Sequence, residues 1–167
     1  MRIGGHLTTL DSVLQRVTYR WDTETDILSG SLPTPEGGRG FTGSIELEDA
    51  QGAVVTLDLQ QGALAALEVV VWPERTERPG LLPPEPRRTA AFTVPARPSQ
   101  PGIGVMEVDV RMRVETSEDE SVIHVALSGG TRQEAVALAE NLLIELDGQG
   151  ELVGFWLLDV PPFGPEE

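Results

Sequence analysis

Apolar and polar residues alternate over much of this chain. Met106, Val108, Val110, Met112 and Val114 interleave with Glu107, Asp109, Arg111 and Arg113. A period of two predicts a strand with one buried face and one solvated face. Val13, Gln15, Val17 and Tyr19 alternate in the same way with Leu14, Arg16, Thr18 and Arg20, and Phe41, Gly43, Ile45 and Leu47 mark another such strand. Ile27 to Leu32 and Val122 to Leu127 are short apolar runs that follow polar turns, and both read as strands. Residues 1–10 are weakly patterned and read either as a short lead-in strand or as a mobile segment.

The stretch Asn141 to Pro161, NLLIELDGQGELVGFWLLDVP, reads as a hairpin. Asp147-Gly148-Gln149-Gly150 supplies the positive φ angles of a tight turn between two apolar runs. A looser copy lies upstream, with Val54 to Asp58, then Leu59-Gln60-Gln61-Gly62, then Ala63 to Trp72 and Pro73. The turn glycine and the closing proline are 11 residues apart in both, Gly62 to Pro73 and Gly150 to Pro161. Ala63 to Leu67 has helical propensity, but its counterpart at 151–158 carries Val, Phe and Trp, so a strand is predicted at both. Sliding Asp26 onto Ser121 also places Val17 on Met112, Tyr19 on Val114 and Leu32 on Leu127. The expectation is an internal duplication, with a first copy over 1–73 and a second over 105–167.

Between the copies, 74–104 is a different regime. Pro73 to Gly104 holds eight of the thirteen prolines. Proline cannot donate to a ladder and restricts the residue before it, so this segment reads as a linker or an extended wrap. Thr89 to Val94 is placed within it as an edge strand. Pro83-Pro84-Glu85-Pro86 has the composition of a polyproline ligand, although spacers are the commoner use. Thr131 followed by Glu134 has the capping-box pattern, and Ala135, Leu138, Ala139 and Leu142 follow at helical spacing. One helix is therefore expected at about 132–141. The fold class expected is α+β, mostly antiparallel, with one helix and a proline-rich crossover, both copies packed as one unit because each alone is small.

Composition narrows the function classes. The chain has 167 residues, no cysteine and a net charge of −15, and its twelve basic residues are all arginine. Disulfides and thiolate chemistry are excluded. The negative charge argues against direct binding to nucleic acid or to an anionic membrane. No apolar run approaches the ~20 residues of a membrane-spanning helix, and Met1 to His6 does not read as a signal peptide. A cytoplasmic protein of a GC-rich bacterium is expected.

The second copy, Met112 to Asp159, resembles the domain of unknown function family 2283, short bacterial proteins that close on a hairpin around Leu-Asp, Gly and an apolar run. Here that hairpin is Ile144-Glu145-Leu146-Asp147, then Gly150 to Leu158. Trp21-Asp22-Thr23-Glu24-Thr25-Asp26-Ile27-Leu28 resembles the family's opening. The chain departs from the pattern at Ala66, which stands in the place of Gly154, and at Ser121, where the family has Asp. The resemblance implies a fold and brings no catalytic residue.

Candidate chemistry is sparse. His124 sits in a strand between Ile123 and Val125 with no Gly-x-Ser-x-Gly elbow to accompany it, and the other histidine is His6. Asp22, Glu24 and Asp26 begin like a calcium loop, but Ile27 and Pro33 stand where that loop needs glycine and glutamate. Glu118-Asp119-Glu120 is the matching acidic turn, and solvated turns are the simpler reading of both. Gly37-Gly38-Arg39-Gly40 lacks the following helix that a phosphate loop needs. With 27 acidic residues, any glycosidase-like carboxylate pair would be a chance selection. His124, Trp72 and Trp156 are the candidate ligand or partner contacts. No catalytic residue, metal ligand or cofactor is assigned. The first expectation is a non-enzymatic interaction module with a protein partner or itself. A small-molecule-binding or hydrolytic site between the copies is the alternative, and an acidic mimic of nucleic acid is the third reading.

Overall fold

The computed structural model describes residues 6–9, 15–33, 42–93, 103–127 and 131–163. They form strands throughout, with no helix among them. The first sheet is built from β2 (Thr18–Asp22), β3 (Ile27–Ser31), β4 (Thr42–Glu48), β5 (Val54–Gln60) and β6 (Ala63–Val71), in the order β2-β3-β6-β5-β4. The second is built from β10 (Met112–Thr116), β11 (Ile123–Leu127), β12 (Glu134–Ala139), β13 (Leu142–Leu146) and β14 (Leu152–Leu157), in the order β10-β11-β14-β13-β12. The connectivity of the two sets is the same. So is the register: Thr18↔Ser31 becomes Arg113↔Ala126, both shifted by 95. Leu28↔Val69 becomes Ile123↔Leu157, shifted by 95 and 88.

Four more strands join the sheets. β1 (His6–Thr9) pairs with β8 (Arg88–Thr93), β7 (Arg75–Glu77) with β10, and β9 (Ile103–Asp109) with β4. The chain passes between sheets twice. β8 runs parallel to β12 at Arg88 and Thr89, then reaches β1 and β6 in the first sheet. β9 lies parallel to β4, and after Val110 and Arg111 the chain enters the second sheet as β10.

One apolar core fills the space between the sheets. Leu28, Leu47, Val55, Leu57 and Val69 meet Val114, Ile123, Ile144, Phe155 and Leu157 in it, all nearly inaccessible. The inward positions are those the period of two selects. Turn chemistry is local: Gln61 and Gly62 both take positive φ between β5 and β6, as a two-residue turn of the twist-compatible type requires. Between β13 and β14, Asp147 Oδ1 accepts the N–H groups of Gln149 and Glu151, and Gly150 has φ 75°.

Two sequence expectations are corrected. The α+β class gives way to all-β, because the helix expected at about 132–141 is strand β12. Ala135 to Ala139 are all buried, since β12 lies between β13 and β8 with both faces covered. A strand of that kind shows no alternation, and its Ala and Leu residues carry helical propensity that pairing overrides. The long alternating run over 106–114 is two strands: the period continues through Val110, but the sheet changes there. Thr89 to Val94 pairs on one side for most of its described length: β8 lies beside β12 at Arg88 and Thr89 and beside β1 from Ala90 to Thr93, and only Thr93 has a second neighbour, Ala63 of β6; Val94 lies outside the described residues, as do Val13, Leu14 and Phe41.

The proline-rich segment crosses the outer face of the second sheet as a strap. β7 pairs at the β10 edge, Arg78 N–H donates to Thr116 O, Leu81 packs on Ala137, Leu143 and Trp156, and Arg87 N–H reaches Ala135 O at the β12 edge. In the first sheet the positions matching Ala137, Leu143 and Trp156 are Glu46, Thr56 and Glu68, half-exposed. The outer face under the strap is apolar, and the matching positions of the other sheet are polar.

The two halves are also joined through Asn141. Its side chain is buried, its Oδ1 accepts the Val17 N–H at 2.8 Å, and its Nδ2 donates to Val17 O at 3.0 Å. The amide thus completes the backbone pairing of a segment that has no strand beside it among the described residues. Asn141→Ala leaves two backbone groups unpaired inside the protein, and the expected loss is about 2–4 kcal/mol in urea unfolding at neutral pH. A loss under ~1 kcal/mol would show that water replaces the amide.

Candidate functional site

The outer face of the second sheet holds a polar constellation beside the strap. His124 in β11 lies opposite Trp156 in β14, and the rings stack with centroids 4.1 Å apart and planes 11° from parallel. Glu145 comes from β13, on the far side of β14. Its carboxylate crosses β14 and meets His124: Oε1 lies 2.5 Å from Nε2, and Oε2 accepts from Arg132 Nη1 at 3.1 Å. Only 6% of the Glu145 side chain is exposed.

Gly154 makes the crossing feasible. It pairs with Ala126 on one side and Glu145 on the other. A Cβ there would collide with Glu145 Oε1 and sit 3.1 Å from Val125 O, so the absent side chain is the space the carboxylate occupies. The matching positions of the first sheet cannot form the same group. They are Ser29 for His124, Ala66 for Gly154, Asp58 for Glu145 and Glu68 for Trp156. Asp58 accepts from Ser44 Oγ at 2.7 Å instead.

Burial pushes the Glu145 carboxyl up. The hydrogen bond and charge of His124, the nearby Trp156 indole and the Arg132 bond act the other way and prevail, holding it below the usual carboxylate range. The Trp156 N–H is buried and forms no aligned hydrogen bond, but its dipole favours the ionised carboxylate.

This group opens onto a cleft of about 680 Å³. The β4–β5 turn supplies Asp49, Ala50 and Gln51 on one side, and Arg111, Met112 and Arg113 stand where the chain enters β10. His124, Arg132 and Glu145 form the facing wall. The cleft lies between the first half and the outer face of the second. Asp49 is tied down within it: Oδ1 accepts from Gln51 N–H at 2.7 Å and Oδ2 from Met112 N–H at 2.9 Å. These bonds, with the charge of Arg111, hold its carboxyl below the ordinary value.

Of the three candidate contacts, the structure brings His124 and Trp156 together and leaves Trp72 elsewhere. Trp156 is 5% exposed under the strap. Trp72 stacks on Trp21 with centroids 5.6 Å apart, donates its N–H to Asp26 O at 2.7 Å, and carries Arg75 over its ring. Phe163 packs edge-on against Trp21. The acidic turns serve themselves. Asp22 Oδ1 accepts from Glu24 and Thr25 N–H, and Asp119 Oδ1 is held by Ser117 and Ser121, which with the Ser121 N–H bring its pKa down to about 2. Among the described residues no group of three potential metal ligands occurs. Gly37-Gly38-Arg39-Gly40 and the His6 side chain lie outside the described residues.

Glu145, Arg132, Arg113 and Gly154 escaped the sequence reading. Glu145 had a signal: it is the one charged residue in the run 142–146, at outward parity with Leu143. Gly154 entered only as a difference from Ala66.

Gly154→Ala is expected to lower stability by about 1–3 kcal/mol through overpacking. Most of that loss should vanish in the Glu145→Ala background, and a double-mutant cycle showing additivity would place the strain elsewhere. The depressed Glu145 pKa sets the sign of its pH effect. Its stabilisation is complete above the unfolded value, about 4.3, and is lost as pH falls through the folded value. The stability gap between the natural protein and Glu145→Gln should therefore be larger at pH 7 than at pH 3. An equal gap at both pH values would show that ionisation of Glu145 contributes nothing.

A comparison with protein-family models finds no match to this chain, and a comparison with curated proteins likewise finds none.

Proposed function

We propose that this protein binds a small molecule in the cleft between the β4–β5 turn and the outer face of the second sheet. One observation carries the reading: a nearly buried carboxylate commits both oxygens to fixing His124 and Arg132 at the wall of an open cleft. Removing such a charge from water is costly, and the fold does not require it, since the first sheet closes with Ser29, Ala66 and Asp58 at the same places. Ligand sites of about 300–1,000 Å³ with a few convergent polar groups are the common form of small-molecule pocket, and this cleft falls within that range.

Binding rather than turnover is what the lining supports. His124 is held at Nε2 and stacked on Trp156, so its ring is oriented. The described lining residues include no serine, threonine or cysteine to serve as nucleophile. Of the readings the sequence leaves open, the site between the halves therefore has the most physical support. The shared registers of the two five-strand sets likewise support their reading as divergent copies of one unit. The resemblance to family 2283 concerns that unit and adds no activity.

The test is a fragment screen followed by amide shifts of the labelled protein. Hits are expected to move Gln51, Ala126 and Val153, and to weaken at least about fivefold in His124→Ala. A library that moves only amides elsewhere, or none, overturns the proposal.

A further inference from the structure

We propose that the ligand of this cleft is a small organic anion, a carboxylate or a phosphate monoester with an apolar body, bound by Arg113 and Arg132. This inference rests on the binding site proposed above and names its chemistry. The chain is strongly acidic, yet the cleft wall gathers Arg111, Arg113 and Arg132 with His124, against two carboxylates. Both of those carboxylates are already used. Asp49 accepts a backbone N–H on each oxygen, and Glu145 is divided between His124 and Arg132. Neither has an oxygen left without a donor with which to hold a cationic ligand.

Arg113 and Arg132 are in the opposite condition. Arg113 is exposed and has no acidic partner among the described residues. Arg132 is 47% exposed at its side chain and binds Glu145 through Nη1 alone, so its remaining N–H groups have no partner among the described residues. A guanidinium presents a planar set of donors that matches the oxygens of carboxylate and phosphate groups. The overall charge of −15 does not cancel this. At physiological salt, charges farther than about 8 Å are largely screened, whereas the arginines act at contact distance.

Size and lining exclude a bare inorganic ion as the natural fit. A cleft of about 680 Å³ far exceeds one such ion, and Met112, Leu127 and Val153 share its wall. A ligand with an anionic head and an apolar body would meet both parts. A nucleic-acid strand would bring its phosphates against the acidic remainder of the surface, which opposes it.

The experiment uses the full chain and four matched probes: benzoate, phenyl phosphate, benzamide and benzylamine. Each is titrated at 150 mM salt and followed by amide shifts at Gln51, Ala126 and Val153. Benzoate or phenyl phosphate should bind at least about tenfold more tightly than benzamide, the size of one charge-assisted contact. Which of the two is tighter separates the carboxylate from the phosphate source. Arg113→Ala should remove about tenfold of anion affinity, Arg113→Lys should retain part of it, and both should keep the natural thermal midpoint because Arg113 holds no structural bond among the described residues. If benzamide or benzylamine moves the same amides as tightly, the anion assignment fails and the binding site stands. If no probe moves them, both fail. Anion binding that is unchanged in Arg113→Ala removes that arginine from the site and overturns the assignment made here.

Discussion

The cover that the proline-rich strap lays over the outer face of the second sheet is the constraint on which the rest depends. A sheet of five strands has two faces, and the inner one alone is satisfied by the shared core. The outer face carries Ala137, Leu143 and Trp156, and Leu81 of the strap closes over them. Burying an indole and its neighbours stabilises by about 3 kcal/mol or more, which uncovered residues would forgo. The strap can do this because its ends are fixed by parallel pairing at opposite edges, β7 on β10 and β8 on β12. Its prolines limit the conformations it loses on ordering.

That cover also shapes the polar site. Trp156, held under the strap, gives His124 a flat surface to stack on. The ring so placed meets Glu145, whose side chain has crossed β14 through the gap at Gly154. A charged group this deep would be unfavourable alone, and it is kept ionised by His124, Arg132 and the indole dipole together. Among the described residues nothing straps the first sheet, and its matching positions are Glu46, Thr56 and Glu68, half-exposed polar side chains. One connectivity therefore carries a solvated outer face in one half, and a covered face with a charge network at its margin in the other.

The crossing of the chain between sheets has a second effect. At Val110 and Arg111 the strand leaves β4 as its neighbour and joins β11, and Asp49 at the β4–β5 turn caps the change by accepting from Met112 N–H. The same step places Arg113 on the outer face, near the margin of the His124 group. The cleft is thus a consequence of how one half is joined to the other, and neither half contains it.

The sequence by itself determined most of the strands, the turns between them and the inward faces. Period two, Gly62 and Gly150 act within a few residues, and the register shifts of 95 and 88 between the halves were legible in part from Asp26, Ser121 and the two turn glycines. It pointed to His124 as well, as a lone polar residue among β-branched neighbours. Tertiary structure alone decided the rest, because the rest depends on what covers what. The segment 132–141 carries a capping box and helical spacing, and only its position between β13 and β8 makes it a strand. The run 106–114 keeps its period while changing sheets, which no local pattern registers. Glu145, Gly154 and Arg132 come from separate strands and a loop. Their meeting with His124 is set by cross-strand register and by the space left at Gly154, quantities that exist only once the sheet has formed.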